Sequence, residues 1–570
     1  MRLVIEPWVP FEHSVIWRLH DAYFAQRGPA AWTLNEVPSY STSNLASARR
    51  HARLFAALVD DLEAAGTVAP GAPLWVLEPG CGSGLFAAHF MHAIDTDPDL
   101  VPLAPRVRYV IADYSEKNLR EVLETPRVAP LAAAGRLLAA RFDARRPDHI
   151  ELLDGPPLTE PIAFVVTNYV CCVLPMHHLQ KHEDDRWYAL WGECHAEVDP
   201  PGQPGFARPS GELPDGDPTD ESAARAYVDA MLADATGTHI QRELEVAFQW
   251  RPLEVDLTTH LGADRVSPGQ PGFTRPSGEL HARILQRATA GMPLATVGYP
   301  TPYFDFMLGI RPRLLPGAAI LTNDYGSPSA STLRGHYERR PQRYGNSLAQ
   351  DVNTSLFDAF AAETGWSVLR STGLLDSLHA ALALPSPPGP AVRARFADEY
   401  GRRPATEDLL DFTAAARVFA QRKEGTRALR YLMRAAELDG RNASLRYQVG
   451  EAALSENLPE LALEHLMEGL ELDPEAGDWE FMIGRALSTL SRLDEARTWY
   501  ERSLQREDHP VTWTNLGTLH AHQGRLAEAW RCYDRAMAID PKYERARERM
   551  EQLKSKLWDE TVARWRAGAV

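Results

Sequence analysis

Three glycines at alternate positions, Gly80, Gly82 and Gly84, stand between an acid, Glu78, and an apolar segment that begins at Leu85. Glycine takes positive φ without steric penalty and lets a ligand approach the backbone closely. A glycine turn that opens a helix also presents unpaired backbone N–H groups, which hold a small carboxylate. An acid just ahead of the turn suits a ligand that carries positive charge as well. The spacing is G-x-G-x-G, and Leu85 occupies the place where a dinucleotide fingerprint wants glycine or alanine. Three readings stay open at this point: a ligand with amino and sulfonium groups such as S-adenosylmethionine, a dinucleotide, or a turn with only a structural purpose.

Further acids and amides fall at the ends of apolar runs. Asp113 closes the run from Val107, Asp143 follows Leu137 to Phe142, and Asn168 and Tyr169 follow Ile162 to Val166. Asp113 offers two acceptor oxygens to the vicinal hydroxyls of a ribose, or serves the start of the helix that Ser115 and Glu116 open. Asp143 offers an acceptor to an adenine amino group, or caps a turn. Asn168 supplies an amide and Tyr169 a phenol and a stacking face, where a sheet of this kind meets substrate; the bland alternative is a strand-end turn. Asp324, in Asp324-Tyr325-Gly326, can orient or deprotonate an acceptor nitrogen or hydroxyl, or simply make a tight turn. Cys171 and Cys172 read as buried packing. His177 and His178 lack a matching ligand ladder and read as a surface helix start, with no metal expected.

These residues need a scaffold that alternates strand and helix. Leu74 to Leu77 reads as a buried strand, followed by a helix, and residues 74–175 continue this alternation, which implies a parallel α/β sheet. Residues 1–70 are mostly helical in pattern, from Phe11 to Tyr23 and from Leu45 to Leu62. Residues 199–282 break the rhythm with Pro, Gly and Asp, a helical stretch at Ala223 to Leu232, and strand-like runs at Leu244 to Phe248 and Leu253 to Leu257. One phrase occurs twice there, at 201–213 and 268–280, and reads as a local duplication in solvated loops. Residues 283–384 restore the pattern with a helix at Tyr303 to Leu314, a turn at Pro316-Gly317 and a strand at Ala318 to Leu321. Residues 385–408, which begin Pro-Ser-Pro-Pro, read as a stiff linker.

The last third repeats. Trp513, Leu516, Gly517, Ala529, Tyr533, Ala536 and Pro541 fit the tetratricopeptide pattern. The marks Ala428, Ala462, Ala496 and Ala529 recur near the same period, which gives units beginning near 409, 443, 477 and 510, and a capping helix from Tyr543 to Trp565. Small residues at such marks let paired helices approach.

Composition excludes several classes. A chain of 570 residues needs more than one core. Its net charge of −17 argues against broad nucleic-acid or anionic-membrane binding. No apolar run approaches the ~20 residues that span a bilayer. The N-terminus lacks a signal-peptide core. Five cysteines without a C-x-x-C pair suit a reducing compartment, and the expected location is the cytoplasm.

Several segments in order resemble the MidA-like family of class I methyltransferases, relatives of complex I assembly factors. They are Ser41-Thr42-Ser43, Glu78 to Gly84, Tyr109 to Ser115, Thr167-Asn168 to Leu174-Pro175, Asp324-Tyr325-Gly326, Leu333 to His336, and Asp351-Val352-Asn353. The likeness covers about residues 30–384 apart from 199–282. It implies an α/β Rossmann-like class I methyltransferase domain with S-adenosylmethionine as cofactor and S-adenosylhomocysteine as product, no metal, and a protein acceptor, with arginine methylation known in the family. Where the family carries Glu after Asn, this chain has Tyr169, so an arginine acceptor would fall to Asp324.

The expected organisation is an N-terminal helical segment (1–70), a cofactor-binding core (71–198), an insertion (199–282), a second part of the catalytic domain (283–384), the linker (385–408) and an all-α solenoid (409–570). Glu78, Gly80, Gly82, Gly84, Asp113 and Asp143 are assigned to the cofactor, and Asn168, Tyr169 and Asp324 to catalysis. The solenoid is assigned a protein or peptide partner on its concave surface. Rival expectations are a small-molecule methyltransferase with the repeats as scaffold, a non-catalytic repeat protein with a relic domain, and a nicotinamide-dependent oxidoreductase, which Leu85 opposes.

Overall fold

The computed structural model describes residues 2–33, 37, 42–147, 149–197, 225, 228–229, 231–232, 244–262, 276–336, 341–344, 347–371, 378–401, 405–474 and 477–566. The duplicated phrase at 201–213 and most of its copy at 268–280 lie outside these residues. The chain divides into two units, Met1–Asp408 and Leu409–Val570.

The first unit opens on a strand, β1 (Arg2–Pro10), in a region read as mostly helical; helices Val15–Arg27 and Leu45–Ala64 follow as expected. Next come β2 (Leu74–Pro79), β3 (Val107–Asp113), β4 (Leu137–Arg141), β5 (Glu151–Leu152), β6 (Ile162–Asn168), β7 (His177–Lys181), β8 (Trp187–Glu197) and β9 (Leu244–Pro252). The remaining strands are β10 (Ala295–Tyr299), β11 (Leu314–Ser327), β12 (Gln342–Tyr344), β13 (Ser347–Ala349), β14 (Val352–Asn353), β15 (Ser367–Arg370) and β16 (Leu378–Leu384). Leu253 to Leu257 is not a strand: helix Leu257–Gly262 begins at its end.

The main sheet has the order β15-β16-β11-β6-β2-β3-β4-β5. Strands β4, β3, β2, β6 and β11 run parallel, while β16 is antiparallel to both β11 and β15. Both faces are covered, which is why its strands read as continuous apolar runs. Leu77, Val110, Ala140, Val165 and Ile320 pack on one face with Phe304 and Phe357. Val76, Ile111, Ala139, Phe164 and Leu321 pack on the other with Phe55, Phe86, Phe90 and Phe396. Each such large side chain withdrawn from water contributes about 1.5–3 kcal/mol.

Pro316-Gly317 is not a turn but a bulge inside β11. The register against β6 shifts between Leu314, opposite Ile162, and Ala319, opposite Phe164. Gly317 has φ +87°, which the bulge uses. In a second, antiparallel sheet, β1-β8-β7-β10 with β9 on β8, the strand-like run at Leu244 to Phe248 forms part of β9, while the sheet as a whole was not legible in the sequence.

The segment read as a stiff linker carries a helix, Pro390–Tyr400, that belongs to the first unit. Val392, Phe396 and Tyr400 are buried. The carboxylate of Asp61, on helix Leu45–Ala64, accepts from the backbone N–H of Ala391 at 3.1 Å and of Val392 at 2.8 Å. It therefore caps a helix other than its own, and Pro390 fits the first turn because it has no N–H to satisfy.

The second unit consists of helix pairs Ala405–Gln421 and Gly425–Leu438, Ala443–Ser455 and Pro459–Leu472, Trp479–Thr489 and Leu493–Arg506, and Pro510–His522 and Leu526–Ile539, closed by Glu544–Arg566. These match the four expected repeats and the capping helix. Ala462, Ala496 and Ala529 are fully buried. A Cβ on Gly484 would stand 2.8 Å from the Tyr500 ring, so the paired helices meet at a distance only glycine allows.

Asp61→Ala should free the N-terminus of helix Pro390–Tyr400 at a cost of about 1–2 kcal/mol. Hydrogen exchange at residues 391–400 is then expected to quicken about 5–30-fold, with the repeat helices unchanged.

Candidate functional site

Strand order in the main sheet reverses between β2 and β6, the two neighbours from which the chain winds outward in opposite directions. In open sheets of this kind ligands bind outside the carboxyl ends of the strands at such a switch point. There β2 feeds the glycine turn and β6 feeds Asn168 and Tyr169. Gly80, Gly82 and Gly84 have φ of +68°, +55° and +72°. The N–H groups of Gly80 and Cys81 both donate to the Ala112 carbonyl, at 2.8 and 3.2 Å, which ties the turn to β3. Gly84 stands at the N-cap of helix Leu85–Thr96. A Cβ there would lie 2.5 Å from Val122 Cγ1, and one on Gly82 would lie 3.3 Å from the Trp32 indole.

The acids around this turn are buried. Glu78 is 2% exposed and accepts from the Tyr109 hydroxyl at 2.9 Å. Burial pushes its carboxyl up to about 8, against that hydrogen bond. Asp113 accepts from the Ser115 N–H at 2.9 Å and from Asn118 Nδ2 at 3.1 Å. Burial pushes it up to about 6 despite these bonds. The N-cap of helix Glu116–Glu124 is Ser115, not Asp113. Asn118 Nδ2 also donates to the Gly82 carbonyl at 3.1 Å, so one amide joins the acid of β3 to the glycine turn.

Asp143 stands apart from this group. Its Oδ1 accepts from the backbone and the Nε of Arg145, at 2.9 and 3.0 Å, and Arg145 also reaches Asp21 at 2.8 Å. The carboxylate thus holds its own turn, one of the two roles its position suggested.

At the ends of β6 and β11, Asn168 lies in register with Asn323. Among the described residues, its Nδ2 is buried with no hydrogen-bond acceptor. Tyr169 has φ +57°, uncommon for a bulky residue and frequent at functional sites. Its ring stacks on Tyr325, with centroids 5.0 Å apart and planes at 21°. Asp324 is fully buried and accepts from the N–H groups of Cys172 at 3.1 Å and Tyr325 at 3.2 Å. Burial pushes it up to about 7, a value at which a carboxyl can take or give a proton near neutrality. Cys171 and Cys172 are buried and their thiols are pushed well above the usual range, as packing residues would be.

The sheet therefore gathers Glu78, Gly80, Gly82, Gly84, Asp113, Asn168, Tyr169 and Asp324 along one edge. Sequence reasoning missed Asn118, Trp32 and Tyr325 as its companions. The Asn at the fifth position after Asp113 was the available signal for the first. His177 and His178 were misread: they open β7, pair with Tyr299 and Gly298 of β10, and are both 4% exposed. A cavity of about 360 Å³ lies elsewhere, against the second sheet between Phe11, Leu244, Phe248 and Leu348.

The comparisons with known proteins concern the second unit. Residues 511–543 match the family model described as Tetratricopeptide repeat. The chain is 33% identical over 115 residues to the tetratricopeptide repeat-containing protein trd-1 of Caenorhabditis elegans, covering 20% of this chain and 15% of that protein. Among solved structures, MamA is 19% identical over 28% of this chain and 89% of its own, with a TM-score of 0.24. YrrB, a repeat protein with an unusual peptide-binding site, is 22% identical over 28% of this chain and 79% of its own, also at 0.24. Residues 511–543 are thus a tetratricopeptide repeat, a kind of unit that serves protein–protein interaction. No described helix is long and apolar enough to cross a membrane.

Glu78→Gln tests the buried acid. With its ordinary value at 4.5 and its folded value near 8, the wild-type carboxyl's stabilising contribution is complete below pH 4.5 and lost as pH rises through 8. In calorimetry the unliganded variant should unfold above the wild type at pH 8.5, by about 2–4 kcal/mol, and the gap should close at pH 4.5.

Proposed function

We propose that the first unit is a class I methyltransferase that uses S-adenosylmethionine, and that its acceptor is a protein or peptide segment recruited through the tetratricopeptide repeats. The observation that carries this reading is the placement of three left-handed glycines and a strained Tyr169 on the two sides of one switch point. The residues present fit the cofactor. The N-terminus of helix Leu85–Thr96 suits its carboxylate, Glu78 and Asp113 suit its cationic and ribose groups, and Asn168 has a buried donor to offer. Asp143, held by Arg145, is the weakest member of the set.

Bound there, the cofactor would supply a sulfonium methyl group to an acceptor lone pair and leave as S-adenosylhomocysteine. The chain's own work is orientation and proton handling. Asn168 would hold the acceptor group, the Tyr169–Tyr325 stack would wall the approach and exclude water, and Asp324 would receive the proton the acceptor sheds. Proximity and alignment carry most of the rate in such a direct displacement. Tyr169 in place of a carboxylate leaves Asp324 as the group able to engage a guanidinium, whose own pKa exceeds ~12.

Calorimetric titration of the full chain is expected to show binding of S-adenosylmethionine and S-adenosylhomocysteine but not of NAD. Asp113→Ala should weaken both by about 1–3 kcal/mol. Asp324→Asn should bind the cofactor as the wild type does yet lose transfer of labelled methyl to a protein in a cell lysate. Failure of the wild type to bind either sulfur compound would overturn the reading; label confined to small metabolites would replace the protein acceptor with a small molecule.

A further inference from the structure

His177, first residue of β7, does not stand alone. Glu12, in the turn Phe11–His13 that follows β1, and His260, on helix Leu257–Gly262, converge on it from segments far apart in sequence. Glu12 Oε1 lies 3.7 Å from His177 Nε2 and 3.4 Å from His260 Nε2. The three ligand atoms all fall within 4.8 Å of one another. The two imidazoles meet nearly at right angles, at 81°, with centroids 5.3 Å apart. We propose that Glu12, His177 and His260 bind one divalent transition-metal ion.

Both nitrogen–oxygen separations, 3.7 and 3.4 Å, are those of ion pairs when the imidazoles are protonated, and they equally suit ligands that share one ion. Two ligands on one tetrahedral ion, each bonded at ~2.1 Å, stand about 3.4 Å apart. The donor set of two imidazole nitrogens and one carboxylate oxygen suits zinc, and iron(II) next; calcium and magnesium prefer oxygen throughout. The side chains are nearly enclosed, with 3% of Glu12, 5% of His177 and 12% of His260 exposed, so an ion there is little hydrated. Thr301 Oγ1 lies 2.9 Å from His177 Nδ1. That bond fixes the ring so that Nε2 faces Glu12 and His260, the usual outer support of a metal-bound histidine. His13 Nε2, more exposed, lies 4.0 Å from the same Glu12 oxygen. Three protein ligands leave one position of a four-coordinate ion open to water or a further ligand. The ion would join the β1 turn, β7 and helix Leu257–Gly262, three elements of the first unit.

The full chain, stripped with EDTA, would be titrated with zinc sulfate against a chromophoric chelator, and separately with cobalt(II), whose visible bands report tetrahedral binding. One equivalent should bind, and the unfolding temperature should rise with zinc. Thr301→Val, which leaves the ligands in place, should lower affinity about 10–100-fold, and Glu12→Gln and His260→Gln by more. His182→Gln, an imidazole just past the end of β7, should change nothing. A wild type that takes up neither ion, or a His182→Gln loss equal to that of His260→Gln, overturns the proposal. If Glu12→Gln fails to fold, the Thr301→Val and His260→Gln titrations decide, and wild-type affinity in both overturns it.

Discussion

The first unit depends on one constraint: β2 and β6 lie side by side and parallel, yet the chain leaves them in opposite directions. Side chains already crowd the turn after β2: a Cβ would meet Val170 at Gly80, Trp32 at Gly82 and Val122 at Gly84, and all three glycines, like Tyr169 after β6, have positive φ. Hydrogen bonds secure the arrangement from beneath. The Ala112 carbonyl grips the turn from β3, and Asn118 joins Gly82 to Asp113.

Three carboxyl groups, Glu78, Asp113 and Asp324, are kept in this region against the preference of carboxylates for water. Their neighbours supply hydrogen bonds but no opposite charge within the bonds described, and each is pushed upward by burial. A fold selected for stability alone would have apolar residues there. Burial raises all three, and they stand around the glycine turn and the ends of β3 and β11.

Much of this was legible in the sequence, for a physical reason. Parallel strands covered on both faces leave unbroken apolar runs, so β2, β3, β4 and β6 were visible, and with them the acids and amides at their ends. The repeats were visible because Ala462, Ala496 and Ala529 obey a spacing that helix packing enforces. The second sheet left only the run at Leu244 to Phe248, which is part of β9: β7 and β8 mix histidine, glutamine, cysteine and glutamate with apolar residues, and β1 fell in a region whose pattern read as mostly helical. Helix Pro390–Tyr400 was hidden by the prolines before it, although the cap that starts it, Asp61, lies on another helix and carries no local signal. For the same reason no local pattern could unite Glu12 with His260, or bind Asp143 to Arg145 and Asp21.

The bulge in β11 has a consequence for how this site tolerates change in length. From Leu314 to Asn323 the strand uses nine steps, where β6 uses six from Ile162 to Asn168. The surplus is absorbed around Pro316 and Gly317, ahead of the stretch that carries Asp324. Because strand side chains alternate between faces, that stretch counts parity. Loss or gain of a single residue within the slack can be taken up there, leaving Asp324 facing as it does; the same indel placed after Ala319 would turn Asp324 to the opposite face and put Asn323 or Tyr325 in its berth. The bulge is a buffer that separates the arithmetic of the loop from that of the sheet edge that carries Asp324.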